Sequence, residues 1–189
     1  MSSRSELWLV RHGETEWSLS GAHTSRTDLP LTAEGQRRAE VVGGALRNHK
    51  FAEVLSSPLR RARDTARLAG FTPVIVDDLH EWDYGAYEGR TTPDIHKENP
   101  EWSIWKSTPP GGESADQVGA RADSVIARAV AAAGDVLLFS HGHMLRVIAA
   151  RWLGLAPDGG RYFALATGTI SVLGYERDTR VIRVWNRTP

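Results

Sequence analysis

The sequence predicts an α/β fold: a three-layer α/β/α sandwich with helices on both faces of a mostly parallel sheet. Two observations carry this. The runs Leu7-Trp8-Leu9-Val10 and Val136-Leu137-Leu138-Phe139 are short and continuously apolar, as expected of strands buried on both sides. Between them lie segments with apolar residues three and four apart, so strand and helix signals alternate along the chain.

After Leu7–Val10, a polar loop from Ser18 to Pro30 leads to Thr32, placed to N-cap a helix reaching about Leu46. Glu53–Ser56 reads as a second strand, and Pro58 suits the first turn of a helix running to about Ala69. Val74-Ile75-Val76 is a third strand. From His80 to Pro110, Gly85, Gly89, Pro93, Pro100, Pro109 and Pro110 are interspersed with Trp82, Tyr84, Tyr87, Trp102 and Trp105. That composition predicts an inserted cover with short helices, at about 80–113. Ser114 caps the longest helix, to about Ala133, with Val118, Ala122, Val125, Ala129 and Ala133 forming its core-facing stripe. A buried strand at Asp135–Ser140, a helix from Met144 to Leu153, and strands near Thr169–Tyr175 and Val181–Trp185 complete a single domain over residues 1–189.

The composition limits the function. Hydrophobic residues make 41% of the chain and charged residues 24%, the balance of an ordinary globular protein. Twenty-three cationic and 23 anionic side chains cancel, which argues against a general nucleic-acid binder. Of the cations only Lys50, Lys97 and Lys106 are lysines; an Arg bias this global reflects a genome more than a site. With no cysteine there is no disulfide, thiolate metal site or thiol nucleophile. The N-terminus Met1-Ser2-Ser3-Arg4-Ser5 leaves no room for a signal peptide, and no apolar run approaches membrane-spanning length, so a cytoplasmic protein is expected.

The chemistry gathers at strand ends. Arg11-His12-Gly13-Glu14 follows the first strand, at the sheet edge where open α/β folds bind ligands. Gly13 is expected to permit a sharp exit and leave room for a ligand. Ser140-His141-Gly142 repeats the pattern, strand then His then Gly, so a paired-imidazole site is expected. The helix start behind Ser56-Ser57-Pro58-Leu59 points backbone N–H groups at the same edge, with Arg61 in its first turn within reach of a phosphate and Arg60, Arg63 and Arg67 on solvated faces. In Leu79-His80-Glu81-Trp82-Asp83-Tyr84, Glu81 in aromatic surroundings suits a general acid, since apolar neighbours and a nearby phosphate dianion favour the protonated carboxyl. Composition alone leaves Asp83 and Glu88 as competitors. His141-Gly142-His143 also invites a metal reading, but no third ligand stands nearby in sequence, so no metal or other cofactor is expected and His143 is read as a helix-start residue.

Taken in order, Arg11-His12-Gly13-Glu14 with Trp17, Ser57-Pro58-Leu59-x-Arg61-Ala62 with Thr65-Ala66, Leu79-x-Glu81 with Gly85 and Glu88-Gly89, Gly112-Glu113-Ser114, and Ser140-His141-Gly142 resemble the histidine phosphatase superfamily. The likeness is to its phosphoglycerate-mutase-like branch and spans roughly Leu7 to Arg146. The resemblance implies that His12 is the nucleophile and forms a phosphohistidine. It implies that Arg11, Arg61 and His141 complete the phosphate pocket with Gly142, and that Glu81 exchanges the proton with the leaving group. The two guanidinium charges would keep His12 neutral at mildly acidic pH, predicting an acid-shifted optimum. One position departs from the family: Ser18 stands where Asn often donates to the phosphate, with Thr24 a second donor candidate from that loop. Glu113 and Ser114 are expected to organise the cover and cap the long helix.

Three functions fit these residues: a metal-independent phosphatase for phosphate monoesters, a cofactor-dependent phosphoglycerate mutase, and a catalytically silent phosphate-binding module. The catalytic set argues against silence. A mutase must keep water from its phosphohistidine, and the family's mutases carry a long insertion between the acid Glu and the second His. Here Glu81 to His141 is short, and the mutases' Phe-Thr-Gly-Trp loop is replaced by Ser20-Gly21-Ala22-His23-Thr24-Ser25-Arg26. Both favour hydrolysis of a small-molecule phosphate ester, with no nucleic-acid or membrane partner. The two C-terminal strands offer an edge for a possible homodimer.

Overall fold

The computed structural model describes residues 4–189; the expectation placed on Met1, Ser2 and Ser3 lies outside them. A six-stranded sheet has the order β3-β2-β4-β1-β5-β6. Strands β1 (Leu7–Arg11), β2 (Glu53–Ser56), β3 (Val74–Ile75) and β4 (Val136–Ser140) run parallel. The last two, β5 (Ile170–Glu176) and β6 (Thr179–Arg187), are antiparallel. Alternation along β1 and β4 divides the core in two. Leu7, Leu9, Val136 and Leu138 face helices α5 (Ala115–Ala131) and α6 (Gly142–Trp152). Val10, Leu137 and Phe139 face α2 (Ala33–Leu46) and α3 (Arg60–Leu68). Burying each of these side chains contributes roughly 1.5–3 kcal/mol, which fixes the pairing register of the two central strands.

Thr32 caps α2, its hydroxyl accepting from the Gly35 N–H. Ser114 and Gln117 form a reciprocal capping box at α5, whose Val118, Ala122, Val125 and Ala129 are buried. Several elements differ from expectation, among them β3, which ends at Ile75 and leaves Val76 outside. Helix α5 ends at Ala131, leaving Ala133 exposed beyond it. Pro58 lies outside α3, which begins at Arg60 because the Asp28 carboxylate takes that residue's N–H. Helix α6 begins at Gly142, two residues early, because Glu81 accepts its His143 and Met144 N–H groups. A five-residue helix α1 (Glu16–Ser20) interrupts the expected loop, capped by Thr15 and Ser18.

The cover packs onto the α5/α6 face. A single-turn 3-10 segment, Asp77–Leu79, leads into it, and it holds a second, Gly85–Tyr87, and helix α4 (Thr92–His96). Among the described residues no helix is long and apolar enough to cross a membrane.

Candidate active site

Parallel pairing brings three strand ends to one edge. Arg11 is level with Ser140, the His12 N–H donates to the Ser140 carbonyl (2.9 Å), and the Ser57 N–H donates to the Phe139 carbonyl (3.0 Å). Gly13 serves backbone packing, correcting the expectation of a ligand-clearing glycine. A Cβ there would stand 2.4 Å from the Gly35 carbonyl oxygen, where the first turn of α2 crosses the loop.

His12 lines a cavity of about 170 Å³. Its Nδ1 lies 2.7 Å from the Gly13 carbonyl, an acceptor only, so Nδ1 carries the proton and Nε2 keeps its lone pair. Burial, then the charges of Arg61 and Arg11, hold the imidazole well below its usual pKa range. A neutral ring with a fixed tautomer is the form a nitrogen nucleophile needs.

His141 lies behind it, 5.2 Å away between ring centroids and fully buried. Arg61 Nε donates to its Nδ1 (3.1 Å), so the ring's own N–H is on Nε2 and donates to Ser57 Oγ (2.7 Å). Burial and the Arg61 charge hold this imidazole neutral too. Arg61 is also fully buried, and its two terminal nitrogens donate to the Thr24, Ser25 and Thr27 carbonyls. Neither His141 nor Arg61 forms the cavity surface; they support it.

Arg11 does form that surface. Within the protein its Nη1 donates to the Leu165 carbonyl, while its buried Nε has no partner among the described residues. The guanidinium lies across Gly142, whose Cβ, if present, would stand 3.2 Å from Arg11 Cζ. The second glycine lets the guanidinium lie close against the start of α6, and a donor-rich cation is left facing the cavity.

The three competing carboxylates separate cleanly. Glu81 lines the cavity, 4% exposed, its oxygens accepting the Trp82, His143 and Met144 N–H groups. Glu88 instead accepts from the Ser25 and Thr27 N–H groups and pins the loop around Arg61. Asp83 pairs with Arg26 at 2.7 Å. Its burial opposes ionisation, but the Gly85 N–H and the Arg26 guanidinium outweigh that and hold it below the usual carboxylate range. Glu113 binds Arg121, and with Ser114 it organises the cover and the start of α5.

Ser18 and Thr24 reach the cavity wall, but both hydroxyls donate locally, to the Thr15 and Ala22 carbonyls. The wall also includes Tyr84, His143 and Arg146, which sequence reasoning did not place there. The signal was available: His143 and Arg146 are three apart on the helix that opens at His141. Burial raises the Tyr84 phenol, so it donates to His143 Nδ1 (2.6 Å), and burial and Arg146 keep that imidazole neutral. His141 and His143 thus belong to separate hydrogen-bonded groups, and share no ligand position. Among the described residues no group of three or more His, Asp and Glu side chains is placed to hold a metal ion.

The geometry describes an anion cavity with a neutral imidazole at its floor. The chain belongs to the histidine phosphatase superfamily, branch 1, whose family model matches residues 7–188. It is 44% identical to an acid phosphatase of Mycobacterium tuberculosis over 187 residues, 96% of this chain and 92% of the relative. It is 38% identical to the sedoheptulose 1,7-bisphosphatase of Saccharomyces cerevisiae, covering 78% of this chain and 67% of that one. A solved structure of an open reading frame product from Mycobacterium tuberculosis superposes with a TM-score of 0.92 at 42% identity, covering 97% of this chain and 98% of that one. The family and these relatives make the chain a phosphatase of the histidine type, with the phosphoglycerate-mutase-like fold.

Proposed function

We propose that the protein hydrolyses phosphate monoesters, without a metal, through a phosphohistidine on His12. The observation that carries this is the His12 tautomer: Nδ1–H is held by the Gly13 carbonyl, and Nε2 is free at a cavity walled by Arg11. Nε2 attacks phosphorus, the P–O ester bond breaks, and the departing oxygen takes a proton from Glu81. Water then attacks phosphorus, returns a proton to Glu81, and the P–N bond breaks to release inorganic phosphate. Arg11 meets the phosphoryl oxygens directly as charge builds on them, and Arg61 adds its field from behind. His141 keeps Arg61 and Ser57 in place.

The pH dependence has a definite sign. Because the His12 pKa lies well below the ordinary 6.5, the neutral nucleophile persists as pH falls below that value. Acid therefore does not disarm the nucleophile, and activity extends below neutrality. Phosphate release from p-nitrophenyl phosphate between pH 4.5 and 8.5, with EDTA, tests this for wild type and His12→Ala. Chelator-resistant activity, highest below neutrality and lost in the variant, is expected. A rate rising steadily up to pH 8.5 counts against the assignment, and an inactive wild type sends the question to isomerisation of 3-phosphoglycerate.

The partners in this reading are small phosphate esters, in a cytoplasmic setting and without nucleic acid. The free side of β6, last in the sheet order, supports a homodimer, which light scattering checks.

A further inference from the structure

Arg11 faces the cavity, and among the described residues its guanidinium has a single hydrogen-bonded tether, the Leu165 carbonyl. That carbonyl belongs to the peptide unit joining Leu165 to Ala166, and the N–H of the same unit donates to Asn186 Oδ1 at 2.8 Å. We propose that Asn186, on the last strand of the sheet, is a positioning residue for the phosphoryl-binding Arg11, acting through this one peptide plane. The proposal rests on the phosphatase reading and adds a residue to its machinery.

The peptide carries the coupling. The unit is trans, so its C=O and N–H lie in one rigid plane and point opposite ways, and holding the N–H fixes the direction of the carbonyl. Residues 163–166 have no ladder of their own to do this, lying between the 3-10 segment Pro157–Tyr162 and β5. They are tied on both sides of Leu165, by the Trp185 indole N–H on the Ala164 carbonyl (2.6 Å) and by Asn186. Just beyond, the Gly168 N–H reaches the Arg11 and His12 carbonyls, each at 3.1 Å.

The backbone of β6 is bent to deliver these two side chains. Trp185 and Asn186 stand opposite Ser171 alone, a β-bulge that turns the strand and re-aims what it carries. Asn186 takes φ 54°; the other non-glycine residue with positive φ among those described, Arg177, sits in the turn between β5 and β6. A left-handed residue inside a strand is strained, and Asn tolerates it better than most because its short amide bonds locally. The Asn186 N–H donates to Ser171 Oγ (2.9 Å), which anchors the bulge to a buried residue of β5. Strain held at this point aims an amide oxygen at the peptide that seats Arg11.

Asn186→Gly keeps the backbone conformation and removes the amide. With p-nitrophenyl phosphate its KM should rise about tenfold with kcat within about twofold, the pattern of a contact made equally in the bound substrate and the transition state. Asn186→Asp retains an acceptor and tolerates positive φ, so its KM should stay within about threefold of wild type. In an Arg11→Ala background, Asn186→Gly should change kcat/KM less than about twofold, because a residue acting through Arg11 has nothing left to position. A lower melting temperature with unchanged KM, an Asp variant as impaired as the Gly variant, or an equal effect that persists without Arg11 overturns the proposal. Asn186→Ser, whose hydroxyl stops short of where the amide oxygen sits, meets the same criteria if the glycine variant does not fold. If wild type turns over no ester, the phosphatase reading falls first. Calorimetric binding of inorganic phosphate then decides, with about tenfold weaker binding to Asn186→Gly expected, and equal or absent binding overturning the proposal.

Discussion

His12 and His141 stand at equivalent points: each follows a buried parallel strand, precedes a glycine, and sits level with the other across one ladder. Their surroundings give them opposite duties. A carbonyl holds the His12 Nδ1–H and leaves Nε2 on the cavity, whereas a guanidinium and a serine occupy both nitrogens of His141. The glycines differ in the same way, Gly13 admitting the backbone of α2 and Gly142 the guanidinium of Arg11. A repeated motif thus fixes position, while the neighbouring donors and acceptors fix the role.

The strongest test of this asymmetry is to remove each imidazole. His12→Ala should lower kcat by about 10⁴-fold or more, as expected for a lost nucleophile. It should also abolish the alkali-stable phosphohistidine seen by mass spectrometry. His141→Ala should cost about 10²-fold through misplacement of Arg61 and still form the phosphoenzyme. If the His141 variant alone loses the phosphoenzyme, the two roles are reversed.

Glu81→Gln comes next, with a loss of about 10²–10³-fold for alkyl phosphates. The effect should be much smaller for p-nitrophenyl phosphate, whose leaving group needs no proton; equal losses would remove Glu81 from proton transfer. Gly142→Ala should raise KM about tenfold by displacing Arg11, since small misplacements are costly at a reacting centre. Unchanged KM would mean that Arg11 does not hold the phosphoryl group.

Stability should report the same buried imidazoles. His12, His141 and His143 all have folded pKa values well below the ordinary 6.5, so the unfolded chain gains protons first on acidification. The stability they support is complete above that value and is lost as pH falls from 6.5 towards the folded values. The melting temperature should decline across this window, and less steeply in His143→Phe; an identical slope would show that His143 does not contribute. The smallest expected effect is Ser18→Ala. Losing one arm of the α1 capping box costs about 1 kcal/mol, and activity should change less than about twofold because the hydroxyl is spent on Thr15.

Thr32 and Ser114 announced their helices because an N-cap is a local bargain between one side chain and its own backbone. The starts of α3 and α6 were misread because their first N–H groups are taken by Asp28 and Glu81, carboxylates distant in sequence. At the site, Arg11, His12, Glu81 and Gly142 were legible and reach the cavity; Arg61 and His141 were legible and stand behind it. Tyr84 went unplaced because it belongs to the cover, which only folding brings against the start of α6, where His143 and Arg146 stand.

The sequence by itself determined the alternation of strands and helices, the family, and the residues that gather at the sheet edge. Those follow from periodicity, local capping and motif order, all of which act between near neighbours in the chain. Tertiary structure decided which nitrogen of His12 is free, which of three carboxylates faces the cavity, and which aromatics of the cover are buried in packing. Those depend on which donor meets which acceptor across the core, and that pairing exists only once the strands and the cover have closed around it.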